Sequence, residues 1–135
     1  MEACIGPVTW RDDMHNALWQ KLLVNCAINP LTALANVKNG ELAHASYRPT
    51  LKAICEEVCL TAQACGIFID ANSALEQVLN VIENTAENYS SMHQDIAHKR
   101  PTEIDAINGY VVKQAQKKGI DVPVNTQMLL AIKAL

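Results

Sequence analysis

A lysine and two asparagines, Lys21, Asn25 and Asn29, recur at every fourth position of an otherwise apolar run, Lys21-Leu22-Leu23-Val24-Asn25-Cys26-Ala27-Ile28-Asn29-Pro30. Residues four apart stack on one face of a helix. The spacing therefore predicts a helix with these three in one polar stripe and Leu22, Leu23, Cys26 and Ala27 facing elsewhere. The stripe offers a proton donor and two neutral amides that can both donate and accept. Such a set suits a small polar ligand carrying carbonyl, hydroxyl and carboxylate groups. An ordinary solvated face is the other reading of Lys21 and Asn25. Asn29 has a structural alternative of its own. A residue before proline is biased out of the α region, so Asn29 also reads as the N-cap of a new helix with Pro30 in its first turn.

The helical period continues along the chain. Asp12 or Asp13 can cap the first helix, which Pro30 breaks or kinks before a second piece ends near Asn36. Asn39-Gly40 signals a turn. Pro49 sits near the start of a helix carrying Leu51, Ile54, Cys55, Val58, Cys59 and Ala62, and Gly66 ends it. Asn72 or Ser73 opens the next, and Ser90-Ser91 caps a short one that closes at His98-Lys99-Arg100-Pro101. Thr102 begins a long helix stopped by Lys117-Lys118-Gly119. Asn125 caps the last. Only Ile67-Phe68-Ile69 and Val122-Pro123-Val124 are strand candidates, and both are short linkers. The class is all-α, a compact bundle of about six to eight helices.

Of the 135 residues, 50% are hydrophobic and 19% charged, a balance that supports one domain with a real core. A net charge of −3 without a basic cluster, and aromatics at 4%, give no nucleic-acid footprint. No apolar run approaches the ~18 residues of a membrane span, and the N-terminus lacks the pattern of a signal peptide. The five cysteines are Cys4, Cys26, Cys55, Cys59 and Cys65, with no CxxC pair. Cys55 and Cys59 stand one helical turn apart. They could meet a metal, but buried thiols are the plainer reading, and no metal site is expected. A reducing cytoplasm fits this usage best.

Three more polar sets complete the picture: Asn39-Gly40-Glu41-Leu42, then Glu87-Asn88-Tyr89-Ser90-Ser91-Met92-His93-Gln94-Asp95-Ile96, then Arg100-Pro101-Thr102-Glu103-Ile104-Asp105-Ala106-Ile107-Asn108-Gly109. Singly, Ser91 reads as a cap and Glu103 as an acid in a helix first turn. Together with Lys21–Leu34, in this order and spacing, they resemble the C-terminal domain of the ketopantoate reductase family from about Trp10 to Leu135. The closing Gly119-Ile120-Asp121-Val122-Pro123-Val124-Asn125-Thr126 fits as well.

The resemblance implies a helical domain like the C-terminal domain of the 6-phosphogluconate dehydrogenase-like reductases. In that family it follows an NADPH-binding Rossmann domain, and the enzyme reduces ketopantoate to pantoate for pantothenate and coenzyme A synthesis. Carried over position by position, Lys21 matches the catalytic lysine, and Glu103 the acid that assists catalysis and substrate binding. Asn25, Asn29, Asn39 and Ser91 match substrate-binding positions. The chemistry is coherent: hydride delivery to a ketone develops charge on oxygen, which an ammonium can stabilise and protonate, the more readily if buried. No GxGxxG follows a strand anywhere in the chain. The expectation is a domain at 10–135, with 1–9 a remnant of an interdomain connection, inactive alone, with Lys21, Asn25, Asn29, Ser91 and Glu103 converging on one cleft, and weakly self-associating through that side. The alternatives are a non-catalytic helical dimerisation or interaction module, and a related reductase for another 2-keto acid.

Overall fold

The computed structural model describes residues 10–135, with side chains from residue 14 onward. Six α-helices follow one another: α1 Trp10–Ala35, α2 Arg48–Ala64, α3 Ala71–Asn84, α4 Ser91–Ala97, α5 Asn108–Lys118 and α6 Pro123–Lys133. Short 3-10 turns at Asn39–Ala43, Ala45–Tyr47 and Ile104–Ala106 join them, and the described residues contain no strand. The two strand candidates are extended linker and helix start. α1 is the central member, packed against α2, α3, α4 and α6. Its Leu23, Cys26 and Ala27 are fully buried and meet Ile54 and Val58 of α2 and Val78 of α3 in one core. Each such aliphatic side chain stabilises the fold by about 1.5–3 kcal/mol on burial.

Helix ends follow local chemistry. Asp70 caps α3 by accepting from the Ser73 amide at 3.0 Å, two or three residues earlier than Asn72 or Ser73 would place the cap. Ser90 caps α4, accepting from the His93 amide at 3.1 Å. After α2, Gly66 (φ 92°) lets Ile67 donate to the Ala62 carbonyl at 2.8 Å and Gly66 to Gln63 at 3.0 Å, the paired bonds of a Schellman stop. Gly119 (φ 72°) does the same after α5. Lys99 does it after α4 without the help of glycine, at φ 57°.

Four expected boundaries are corrected. α1 already includes Asp12 and Asp13, so neither starts it. Pro30 lies inside α1 and does not break it, so Asn29 caps nothing. Proline cannot supply the amide that would bond the Cys26 carbonyl. Asn108 Nδ2, from α5, donates to that carbonyl at 3.3 Å instead. Thr102 starts no long helix: Thr102 and Glu103 are irregular, a 3-10 turn follows, and α5 begins at Asn108. Asn125 does not cap α6, which starts at Pro123. Asn125 is fully buried, and both its main-chain amide and its Nδ2 donate to Glu57 Oε1 at 2.8 Å.

Candidate functional site

The stripe on α1 exists and is graded in depth. Lys21 is exposed, Asn25 half-buried and Asn29 only 7% exposed. One turn separates each from the next, about 6 Å along the axis. Among the described residues, neither the Lys21 ammonium nor the side-chain amides of Asn25 and Asn29 has a hydrogen-bond or ion-pair partner, although the Asn29 carbonyl accepts from Thr32 Oγ1 at 3.0 Å. Neither polar atom of the Asn29 amide is enclosed without a partner, so the group keeps access to solvent although the residue is nearly buried. Water or a ligand is its natural complement.

Two walls flank the stripe. The first is α4 with the turn before it. Thr32 Oγ1 meets Ser90 Oγ at 2.7 Å, and the His93 ring meets Asn36 Oδ1 through Nε2 at 2.6 Å. Tyr89 stacks on His93 with centroids 4.3 Å apart. These contacts bring Ser91, in the first turn of α4, alongside the C-terminal half of α1; its hydroxyl is exposed and has no partner among the described residues. The second wall is the segment 104–110. Tyr110 packs its ring against Trp19 at 5.9 Å, and Ala106 and Tyr110 close a groove of about 330 Å³ with His15, Leu18, Trp19 and Leu22. Leu18 and Leu22 flank Lys21 on the helix, so this groove borders the stripe. Glu103, at the mouth of that segment, is exposed, and its carboxylate has no partner among the described residues.

Asn39 differs from the other five. Its Nδ2 donates to Thr85 Oγ1 at 2.9 Å, its main-chain amide to the Asn88 carbonyl at 2.9 Å, and its Oδ1 is enclosed without a partner. Gly40 beside it donates to the Ala86 carbonyl at 3.1 Å. A Cβ there would lie 2.8 Å from that of Ala86, so only glycine allows this approach. Asn39 and Gly40 thus hold the turn that leads into Ser90 and Ser91. The bonds tie Asn39 to Thr85 and Asn88, and Ser90 to Thr32 of α1, and no hydrogen bond or ion pair among the described residues joins the six residues to one another or Lys21 to Glu103.

Sequence reasoning gave no role to Asn108 or Glu57 and read Asn125 only as a cap. Their one signal is that three polar residues fall among apolar helix positions. The thiols behave as packing. Burial, then the neighbouring Cys59 and Glu56, push Cys55 up to about 12. Burial, then Asp70 and Glu56, push Cys59 up to about 11, and burial raises Cys26 well above its ordinary value. Protonated thiols in an apolar interior are poor nucleophiles and poor metal ligands, and the described residues hold no cluster of three metal-binding side chains.

The profile of the family described as ketopantoate reductase PanE/ApbA C terminal matches residues 13–135. A 2-dehydropantoate 2-reductase of Vibrio cholerae is 48% identical over 131 residues, covering 97% of this chain and 44% of that relative. The chain thus spans less than half of that protein's length. The structure of a probable 2-dehydropantoate 2-reductase from Bacillus subtilis superposes with a TM-score of 0.84 at 38% identity, over 98% of this chain and 43% of that one. A D-mandelate dehydrogenase, in a ternary structure with NADH and anilino(oxo)acetate, superposes with a TM-score of 0.87 at 26% identity, over 98% and 54%.

Proposed function

The chain belongs to the ketopantoate reductase PanE/ApbA C-terminal family, and from that membership we propose that it supplies the substrate-binding and catalytic half of an NADPH-dependent 2-dehydropantoate 2-reductase. The observation that carries this is the row of unengaged groups on α1, an ammonium followed by two amides at increasing depth. The deep amides of Asn29 and Asn25 grip the keto acid. Lys21 stands at the rim, where it stabilises the developing alkoxide and gives it a proton. Ser91 adds a hydroxyl from the α4 wall. Glu103 accepts from a substrate hydroxyl or orients Lys21. Asn39 serves the site through the turn it holds.

A nicotinamide cofactor supplies the hydride in this reading. The described residues offer it no cradle, being helical throughout, without the strand, glycine loop and helix that hold a pyrophosphate. That task falls to a separate nucleotide-binding domain. Such a domain, closing over α1, would also bring Lys21 the burial that its exposed position lacks here. Met14 and Leu18, exposed at 48% and 59%, border the stripe and mark where it would sit. With that surface open, weak self-association of the chain through the same face is expected. Among the described residues no helix is long and apolar enough to cross a membrane. A cytoplasmic place in pantothenate and coenzyme A synthesis completes the proposal, supported by the free buried thiols.

The test is a graft. This chain replaces the matching 44% of the Vibrio cholerae relative, and NADPH oxidation is followed with 2-dehydropantoate. Turnover supports the reading; a folded, cofactor-binding but inert graft sinks it. The likeness to D-mandelate dehydrogenase favours one second reading, a reductase for another 2-oxo acid, and the same graft assayed with benzoylformate and 2-dehydropantoate decides between them.

A further inference from the structure

A chain of four groups crosses the interior behind the stripe, and its polarity is fixed at both ends. Glu57, 8% exposed, accepts from the amides of Val124 at 2.9 Å and Asn125 at 2.8 Å, which caps α6 from a residue in α2. A carboxylate facing N–H groups accepts, so the Asn125 group at 2.8 Å from Oε1 must be Nδ2. Asn125 Oδ1 then points the other way and requires a donor, which is Asn108 Nδ2 at 2.9 Å. The same Nδ2 reaches the Cys26 carbonyl at 3.3 Å. That carbonyl is one that only accepts, and it is the one Pro30 leaves without a helical donor. Both amides are completely buried, and neither can flip without setting like against like.

Cys26 lies between Asn25 and Asn29 on α1. Proline leaves the carbonyl four residues back without its helical donor, although α1 runs on uninterrupted through Pro30. A bare buried carbonyl in that turn would be costly; Asn108 supplies the donor that makes it tolerable. We propose that Asn108 is a positioning residue for substrate binding: by bonding the Cys26 carbonyl it braces the proline turn of α1 and so sets the separation and tilt of the Asn25 and Asn29 amides. The inference rests on the reading of those amides as substrate contacts. It makes Pro30 and Asn108 one device, of use only together.

That mutual dependence gives the test. Pro30→Ala restores an amide that can bond the Cys26 carbonyl, so it should relieve the loss of Asn108. In the full chain, Asn108→Ala should move the side-chain amide NMR signals of Asn25 and Asn29 while leaving those of Asn72 and Asn80, exposed on α3, in place. In the graft described above, Asn108→Ala should raise KM for 2-dehydropantoate about tenfold with a much smaller change in kcat. Adding Pro30→Ala to Asn108→Ala should recover both the fold and KM in part, the loss at Asn125 Oδ1 remaining. If Asn108→Ala alone does not fold, the double variant carries the test, and its failure to fold overturns the proposal. So do unmoved Asn25 and Asn29 signals, or a double variant no better than the single one. Signals that move while KM stays constant overturn the assignment of Asn25 and Asn29 to substrate, whereas an inert graft of the unaltered chain speaks against the proposed reaction alone.

Discussion

Two pairs of asparagines, Asn25 with Asn29 and Asn108 with Asn125, use the same amide to opposite ends. Asn108 and Asn125 are wholly enclosed and joined in a directed line from the Glu57 carboxylate to the Cys26 carbonyl. Asn25 and Asn29 sit at a helix surface and touch no partner among the described residues. Burial alone does not tell the pairs apart, since Asn29 is itself only 7% exposed. What separates them is whether the protein bonds the amide into the fold: Asn108 and Asn125 are so bonded, although Asn108 Oδ1 is enclosed without a partner, while no described residue bonds the Asn25 and Asn29 side chains. In the proposed function those two amides are free for substrate.

The sharpest way to break this contrast is to remove a group from each side. In the graft, Lys21→Ala should lower kcat/KM for 2-dehydropantoate by ~10³-fold or more, equivalent to about 4 kcal/mol of transition-state stabilisation. In the chain it should leave the urea midpoint unchanged. Destabilisation on that substitution would mean that the stripe serves the fold. Glu57→Ala should do the reverse, costing about 3 kcal/mol of stability because it strands the buried donors at the start of α6. Equilibrium unfolding measures it, and a loss under about 1 kcal/mol would show that water replaces the carboxylate.

A pH scan sharpens the interior side. The folded-state values of Cys55, about 12, and Cys59, about 11, lie above the ordinary value of 9.0. Raised folded values favour the protonated fold, so this stability is fully present below pH 9 and is lost as pH rises toward 11 and 12. By pH 10.5 the loss should be on the order of 1–2 kcal/mol per thiol, read as a falling urea midpoint that flattens in a Cys55→Ala, Cys59→Ala variant. The smallest effect belongs to Asn25→Ala. It should change stability by less than about 0.5 kcal/mol, by thermal unfolding, since the amide it removes bonds no described residue. A larger loss would place Asn25 with Asn108.

The same distinction explains what could be read in advance. The helices with one apolar face were legible: Leu51, Ile54, Val58 and Ala62 repeat at a helical interval and all lie in the core. Endings carried by one residue, Gly66 and Gly119, were legible too. The misplaced boundaries have their causes far along the chain. Pro30 is accommodated by a donor from Asn108, and Asn125 is drawn inward by Glu57, neither of which a local pattern reveals. Thr102 and Glu103 carry helical neighbours at Ile104 and Ile107, yet the backbone turns through a 3-10 segment before α5. For the candidate site, four-residue spacing gave the stripe on α1, while the roles of Ser91, Glu103 and Asn39 came from the resemblance. The structure shows Asn39 engaged by Thr85, which no spacing announces.

The graded depth of the stripe has a consequence for how a catalytic cycle would be reset. In the proposed reaction the group that gives up a proton stands at the outer end of the row, and those that grip the keto acid at the inner end. In that reading, once product leaves and the covering domain opens, water reaches Lys21 at the exposed end of the row without a rearrangement of α1. The deep end meanwhile keeps its shape, because the turn that sets it is pinned from behind. Recharging at the rim and recognition at the floor are thus served by different parts of one helix, two turns apart.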